Sequence, residues 1–517
     1  MLLSPFSPRR SRGARFLASC CGLLVAALLS LPSLAFADED VEGFDDLMGG
    51  FDDDFDASEL DEMDAETPAW IAALPFGEEI AERVDLSGSI ATGAVFSYLG
   101  NRVPHGDEEN RFSEYGNLTR LDLDGFLQLD IELPGDWQVR AEALGWYDFV
   151  YRIKGRSDFG GEVLDVYEWQ VDSGEVYIAG PIHDKVDLTI GRKIVNWGRS
   201  DTFRVVDVVN PLDNKEPGLV DIEDLRRPKA MVKLDAQTGP WSAQFLVIPE
   251  ARFDRQPPLG SDFFPDPTTF GVTPRDLSAF QIDGRSDFGD VPSFAGKVDG
   301  RFSGWDFSIY GAYTDQGSRV LDARPAPAPL TPASPVPRFE ANRFSLLGAA
   351  GNITRGAWLV KAELAWLGDL RVLNGRRSTP ANLIPLTSER KDRMDTMIGV
   401  EYYGPDQLTI ALEIVNRHLL DDPGQRGVDR LTEQSTFETG IRISRPFLRE
   451  RLDVTVLAII LGERAQDGVI FRASGDYEIT DALKMEGGIL IFSGGPDRAL
   501  GAFDKNDRLY AELKYSF

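Results

Sequence analysis

Cysteine is nearly missing from this 517-residue chain: its two copies, Cys20 and Cys21, sit side by side near the amino terminus. If that region is removed as a targeting segment, the mature chain has no disulfide, no thiolate metal site and no thiol nucleophile. Histidine is also scarce, and His105, His183 and His418 stand too far apart in sequence to suggest a histidine metal cluster. Basic residues are outnumbered, 54 Lys and Arg against 84 Asp and Glu, giving a formal net charge of −30. That sign argues against nucleic acid as a partner. The most informative absence is of long apolar runs. Hydrophobic residues make up 42% of the chain, yet no stretch approaches the roughly 20 residues that a membrane-spanning helix needs. Residues alternating between a lipid face and a lumen face would give this dilution.

Arg9, Arg10, Arg12 and Arg15 form a basic leader, Gly22–Leu31 an apolar core, and Ala35-Phe36-Ala37 a small-residue cleavage site. This pattern predicts a Sec-type secretory signal over residues 1–37 of a Gram-negative chain. Leu17-Ala18-Ser19-Cys20 has a lipoprotein look, but its apolar stretch follows the cysteine instead of preceding it. Arg9-Arg10 lacks the neighbours of a twin-arginine signal. Cleavage would remove four Arg and no acid, leaving −34.

Residues 38–67 come next, with fifteen acidic side chains and no basic one between Asp38 and Glu66. Such charge density buries too little apolar surface to fold, so the segment reads as a disordered periplasmic leader. Gly-Phe-Asp-Asp occurs twice, at Gly43–Asp46 and Gly50–Asp53, and Phe44, Phe51 and Phe55 could anchor a periplasmic or exporter partner. Asp52, Asp54 and Asp56 have the early spacing of a calcium loop, but Ala57 stands at the turn glycine and Met63 at the closing Glu, so that reading fails. Residues 68–84 read as a short helix around Trp70, Ile71 and Leu74, or as a linker.

From residue 85 to 517 the period is two. Leu121, Leu123, Leu127, Leu129, Ile131 and Leu133 share one face, while Asp122, Asp124, Gln128, Asp130 and Glu132 share the other. Short links such as Pro134-Gly135-Asp136 and Thr238-Gly239-Pro240 alternate with long polar ones such as 199–227 and 250–291. Short turns on one rim and long loops on the other predict an all-β fold: a transmembrane, antiparallel, up-and-down barrel of about eighteen strands. The brief link near 463–466 leaves sixteen open. Trp137, Trp241, Trp305 and Trp358 each follow a short turn, as a periplasmic aromatic girdle would. The final strand closes on Tyr515 and Phe517, a pattern similar to the signal read by the barrel-insertion machinery of a membrane of lipid and lipopolysaccharide. Only closure hides every backbone donor of such strands from lipid.

Asp122 and Asp124 on one strand and Arg140 and Glu142 on its neighbour would line the lumen, either as a field that orients solutes or as satisfied ladder pairs. The densest polar group is Gly191-Arg192-Lys193-Ile194-Val195-Asn196-Trp197-Gly198, followed by Asp207-Val208-Val209-Asn210-Pro211-Leu212-Asp213 and then Arg226-Arg227. Strict alternation from Leu188 and Ile190 would point Arg192 at lipid, so a bulge near Gly191 is expected to turn it inward. The segment then reads as a loop folded into the lumen with Arg192, Lys193, Asn196, Trp197, Asn210, Asp213, Arg226 and Arg227 at a constriction, or as a polar structural corner.

These two runs resemble a family of proteobacterial outer-membrane, porin-like barrels of unassigned function. The resemblance implies a likeness to long-chain porins and a frequent neighbourhood with exporters of the resistance-nodulation-division type. Gly155-Arg156-Ser157-Asp158-Phe159-Gly160 recurs at Gly284–Gly289, and both copies are expected in extracellular loops. No cofactor is implied. His418 near Asp421 and Asp422 has no nucleophile motif beside it, so the chain reads as a channel for small solutes and not as an enzyme, with a gated, ligand-specific transporter as the alternative. If the acidic leader is a docking segment, deleting residues 38–66 should spare barrel assembly and abolish coupling to a periplasmic partner in an export assay; undiminished coupling would refute that role.

Overall fold

A computed structural model describes residues 83–104, 112–221, 224–264, 287–318, 320–322, 338–340, 342–374, 387–420, 433–495, 500 and 503–517. The signal, the acidic leader and the helix or linker expected over 68–84 lie outside the described residues, apart from the last two positions, and Val84 already belongs to the first strand. Eighteen strands form one sheet, so the eighteen-strand count holds over sixteen. The first nine are Val84–Pro104, Phe112–Leu133, Trp137–Asp148, Trp169–His183, Val186–Lys193, Lys229–Thr238, Trp241–Ala251, Asp287–Phe302 and Trp305–Asp315. The second nine are Arg343–Arg355, Trp358–Asn374, Thr387–Tyr403, Thr409–Leu419, Ser435–Phe447, Leu452–Leu461, Gly468–Glu478, Leu483–Gly494 and Arg508–Ser516. Val320–Asp322 and Arg338–Glu340 pair with each other apart from this sheet.

Every barrel strand pairs antiparallel with the next in sequence, and the last pairs with the first from Ser89↔Ser516 to Ser97↔Arg508. The sheet therefore has no free edge. Gly88 and Phe517 complete the seam with reciprocal backbone bonds of 2.9 and 3.0 Å. A side chain at Gly88 would place its Cβ 2.8 Å from the Phe517 ring and 2.6 Å from the Phe126 carbonyl oxygen. Glycine is what lets the terminal ring lie over the seam.

Alternation sorts the faces. Leu86, Ile90, Leu123 and Leu127 are about half exposed, whereas Ser89, Ala91, Val95 and Asp122 are buried inside. Leu347, Ile353 and Ile398 exceed 60% exposure. An apolar surface of this extent requires lipid rather than water as its solvent. Trp241, Trp305 and Trp358 open their strands at the short-turn rim and are exposed. Phe302 stacks on Trp305 at 4.5 Å, and Trp358 meets Tyr402 at 4.8 Å. Trp137 opens its strand in the same way but is half-buried, its ring filling the space left by Gly180.

Two short helices, α1 (Val150–Lys154) and α2 (Gly161–Tyr167), occupy the second long link. Between them Phe159, from the first Gly-Arg-Ser-Asp-Phe-Gly copy, packs edge-on against Tyr115 and Tyr151. The second copy behaves differently: Asp287, Phe288 and Gly289 open the eighth strand rather than lying in a loop, and 284–286 are outside the described residues. Identical letters adopt different structures because neighbouring strands impose the ladder on one copy only. Gly88→Val should lower the fraction that migrates as folded barrel on an unheated gel, by overpacking worth about 1–3 kcal/mol; an unaltered fraction would show the seam tolerates displacement of Phe517.

Candidate functional site at the link between the fifth and sixth strands

The link over 194–228 starts where Gly191 takes a φ of +140°, a conformation that favours glycine. A Cβ there would fall 2.2 Å from the Val176 carbonyl oxygen. The expected bulge at Gly191 is not found: Tyr177↔Gly191 and Val176↔Arg192 are successive pairs in an unbroken register. The irregularity sits one strand away, between Ala141 and Ala143. Arg192 is satisfied sideways instead, donating to Glu250 Oε1 at 2.7 Å and Ser173 Oγ at 3.3 Å. Lys193 pairs with Glu175 at 3.3 Å and lies 3.8 Å above the Tyr177 ring.

The neck of the link is cross-braced. Asn210 is buried; its side-chain oxygen accepts the Val195 N–H at 2.8 Å, and its amide donates to the carbonyls of Lys193 at 3.2 Å and Arg227 at 2.9 Å. One side chain thereby ties both ends of the link together. Arg226 donates to Asp207 at 2.9 Å, and Asp213 accepts from Arg255 at 2.6 Å. Asp172 receives three guanidinium groups, from Arg227 at 3.4 Å, Arg252 at 3.2 Å and Arg255 at 3.1 Å. Burial and then the like charges of Arg255 and Arg252 bring Arg227 down to about 10, so it remains cationic at neutral pH.

Beyond the neck the segment meets the inward side chains of distant strands. Glu363 accepts the backbone N–H groups of Arg199, of Ser200 at 2.9 Å and of Val206 at 3.2 Å. Glu413 accepts those of Asp201 and Thr202, each at 3.0 Å, and the Ser200 hydroxyl at 2.7 Å. Lys361 lies 2.6 Å from Asp201 and 3.4 Å from Glu413, and also contacts Glu401. Arg199 reaches Ser308 at 2.7 Å. Later in the segment Glu216 pairs with Arg120 at 3.1 Å, and Asp221 meets Arg442 at 3.3 Å and Arg472. These partners belong to strands all round the barrel.

Apolar packing accompanies the tethers. Val195, Trp197, Phe203, Val205, Val206 and Val209 join Leu246, Tyr310, Leu346, Ala365, Met397 and Val415 of the wall in one buried cluster. Trp197 is only 2% exposed, its Nε1 donating to Gln244 at 2.8 Å and its ring 5.4 Å from Tyr310. Asn196 is exposed. On the short-turn side, a polar cavity of about 210 Å³ is bordered by Asp187, Asp235, Gln244, Lys297, Asp299 and Arg301.

The residues singled out from sequence thus separate into groups. Arg192, Lys193, Asn210, Asp213, Arg226 and Arg227 gather at the neck. Asp122 and Asp124 lie on another strand, joined to the link through Arg120 and Glu216. Arg140 pairs with its cross-strand neighbour Asp130 at 2.7 and 3.0 Å, along the wall and not across the lumen. Glu142 accepts the Glu175 N–H at 2.7 Å. Sequence reasoning missed Glu363, Glu413, Lys361 and Glu250. Their signal was present: a charged residue at an inward position of an otherwise apolar strand, as in Trp358-Leu359-Val360-Lys361-Ala362-Glu363.

A family model described as "Protein of unknown function (DUF1302)" matches residues 17–447. No curated protein matches the chain. Solved structures similar to it include OccAB1 of Acinetobacter baumannii, with 11% identity, coverage of 84% of this chain and 96% of that one, and a TM-score of 0.45. OccK8 (OprE) of Pseudomonas aeruginosa is 9% identical, with coverages of 84% and 98% and a TM-score of 0.44. OmpF of Salmonella typhi, solved with daunomycin, is 8% identical, with coverages of 84% and 97% and a TM-score of 0.40.

Asn210→Ala should strand the Val195 amide at a cost of about 1–3 kcal/mol. Limited proteolysis is then expected to cut within 194–228 at least several-fold faster than in the parent protein, and an unchanged rate would mean that the neck is held elsewhere.

Proposed function

Because the chain belongs to the DUF1302 family, whose description leaves activity open, we propose its role from its own geometry: a porin-like channel of the Gram-negative outer membrane, reached through a Sec signal over residues 1–37. The cargo is small solutes, which pass through a charged lumen narrowed by the link over 194–228. The observation that carries this reading is the pair of inward carboxylates, Glu363 and Glu413, holding the backbone of residues 199–206 against the wall opposite the neck. A barrel of eighteen strands is wide enough for an aqueous path unless a loop fills it. A segment tethered at both its neck and a distant wall is suited to set the bore. The polar cavity beside Asp235 and Arg301 lies where solute would meet the lumen from the short-turn side.

The same reading assigns other residues supporting roles. Trp137, Trp241, Trp305 and Trp358 would sit at the lipid interface, and Tyr515 and Phe517 would present the insertion signal at the closing seam. Residues 38–66 would dock a periplasmic partner, an inner-membrane exporter being the one the family resemblance suggests. The apolar cluster around Trp197 favours the gated alternative to a constantly open pore, because it leaves no hydrated route where it packs.

Single-channel recording in planar bilayers separates these possibilities. The parent protein is expected to give small steps, and Glu363→Gln combined with Glu413→Gln to raise conductance several-fold by loosening the tether. Equal conductance in both proteins would remove the link as the constriction. Silence in both would reject the open channel and favour the ligand-gated transporter.

A further inference from the structure

The ladder between the sixth and seventh strands is incomplete. It runs from Thr238↔Trp241 to Val232↔Val247 and stops there. Both strands continue past that point. Lys229, Ala230 and Met231 still pair with the fifth strand, and Ile248, Glu250 and Ala251 still pair with the eighth. Pro249, which the register would set opposite Ala230, has no N–H to donate. The Ala230 N–H goes to Glu250 Oε2 at 2.6 Å, and Glu250 Oε1 receives Arg192 at 2.7 Å. The Glu250 side chain is wholly buried. A charged pair therefore fills a notch in the wall where ladder bonds would otherwise run.

Position and surroundings give the notch a direction. Trp241 begins the seventh strand at the short-turn rim, and Ile248 to Ala251 follow seven to ten residues later. At about 3.3 Å per residue and a tilt near 40° that is roughly 20 Å up the wall, inside an apolar band about 25 Å tall. The notch thus lies in the half of the membrane nearer the long loops. On its inner side Met231 and Ile248 belong to the apolar cluster that contains Val195 and Trp197. On its outer side Pro249 is exposed, with Phe245 and Val232 below it.

We propose that this notch is a lateral portal, through which a small amphiphile moves between the long-loop half of the bilayer and the apolar interior of the barrel, with the Arg192–Glu250 pair as its latch. Where a ladder is continuous, parting two strands strips a run of backbone groups of partners in lipid, which is prohibitive. Here the run is already interrupted, and the two strands are joined across the gap by side chains instead: Glu250 on the Ala230 N–H, Arg252 on the Pro228 carbonyl at 2.6 Å and Arg227 on the Phe253 carbonyl at 3.1 Å. Below the notch the interior is apolar, at Met231, Ile248, Val195 and Trp197, so it solvates a hydrocarbon or aromatic body, while the buried Lys229 and Arg252 just above meet a polar end group. The latch offers both signs of charge to a polar end group in transit. The inference does not depend on whether the axial lumen conducts.

The chain has no cysteine outside Cys20 and Cys21, so a thiol pair can be placed cleanly. The full-length protein carrying Ala230→Cys and Pro249→Cys would be assembled in outer-membrane vesicles bearing lipopolysaccharide and closed with a short bifunctional thiol reagent. Uptake of the fluorescent amphiphile N-phenyl-1-naphthylamine is expected to slow at least fivefold on cross-linking, with ionic conductance unchanged. Uptake that ignores the cross-link would overturn the portal, and so would uptake and conductance falling together, because the probe would then be using the axial path. Should the cysteine pair fail to assemble, Glu250→Ala provides the converse test: a rise in uptake that exceeds any rise in conductance supports the portal, and uptake that is unaltered or that only keeps step with conductance overturns it.

Discussion

A peptide amide in hydrocarbon has no water to fall back on, and each one left unpaired costs several kcal/mol. That constraint governs the whole molecule. It forces the last strand onto the first, so Ser89 to Ser97 pair with Arg508 to Ser516 and no edge remains. It also accounts for Glu250, a carboxylate standing in for the missing ladder partner of Ala230 beside Pro249. At the irregularity between the third and fourth strands Glu142 does the same for the Glu175 N–H.

The interior answers to a different balance. Eighteen strands enclose more space than their inward side chains fill, and the link over 194–228 enters that space with an apolar face and a polar one. Val205, Val206 and Val209 pack with Met397 and Val415. Around them, charges sit in clusters of mixed sign, as with Lys361 among Asp201, Glu401 and Glu413. Buried ions are tolerable only with such pairing, and removing one partner costs far more than the pair itself contributes.

How much of this could be read from the residues alone depends on range. Alternation, turn chemistry and the tryptophans after four of the short turns are local signals, and they were enough for a count of about eighteen strands and for turns such as Pro134-Gly135-Asp136 and Thr238-Gly239-Pro240. Arg192 was recognised as a misfit for the same reason, since parity put a cation toward lipid. Its remedy was not legible. Glu250 lies fifty-eight positions further on, and only the register of three strands brings the two together. Glu363 and Glu413 are likewise more than 150 residues from the backbone they hold, and nothing in periodicity links them to it. The duplicated Gly-Arg-Ser-Asp-Phe-Gly shows the converse limit: identical local sequence, with Asp158-Phe159-Gly160 of one copy in the link beside α1 and Asp287-Phe288-Gly289 of the other opening a strand.

The grip of Glu363 and Glu413 falls on main-chain amides, apart from the Ser200 hydroxyl. Amides are common to every residue except proline. These bonds do not read side-chain identity, whereas Phe203, Val205 and Val206 in the apolar cluster, Arg199 on Ser308 and Asp201 on Lys361 do, so the attachment has one half blind to sequence and one half that depends on it. Proline at 199, 200, 201, 202 or 206 would delete a donor outright. Such an arrangement confines free variation to the few side chains of the strap that hold nothing, with the two glutamates as the fixed points about which it turns.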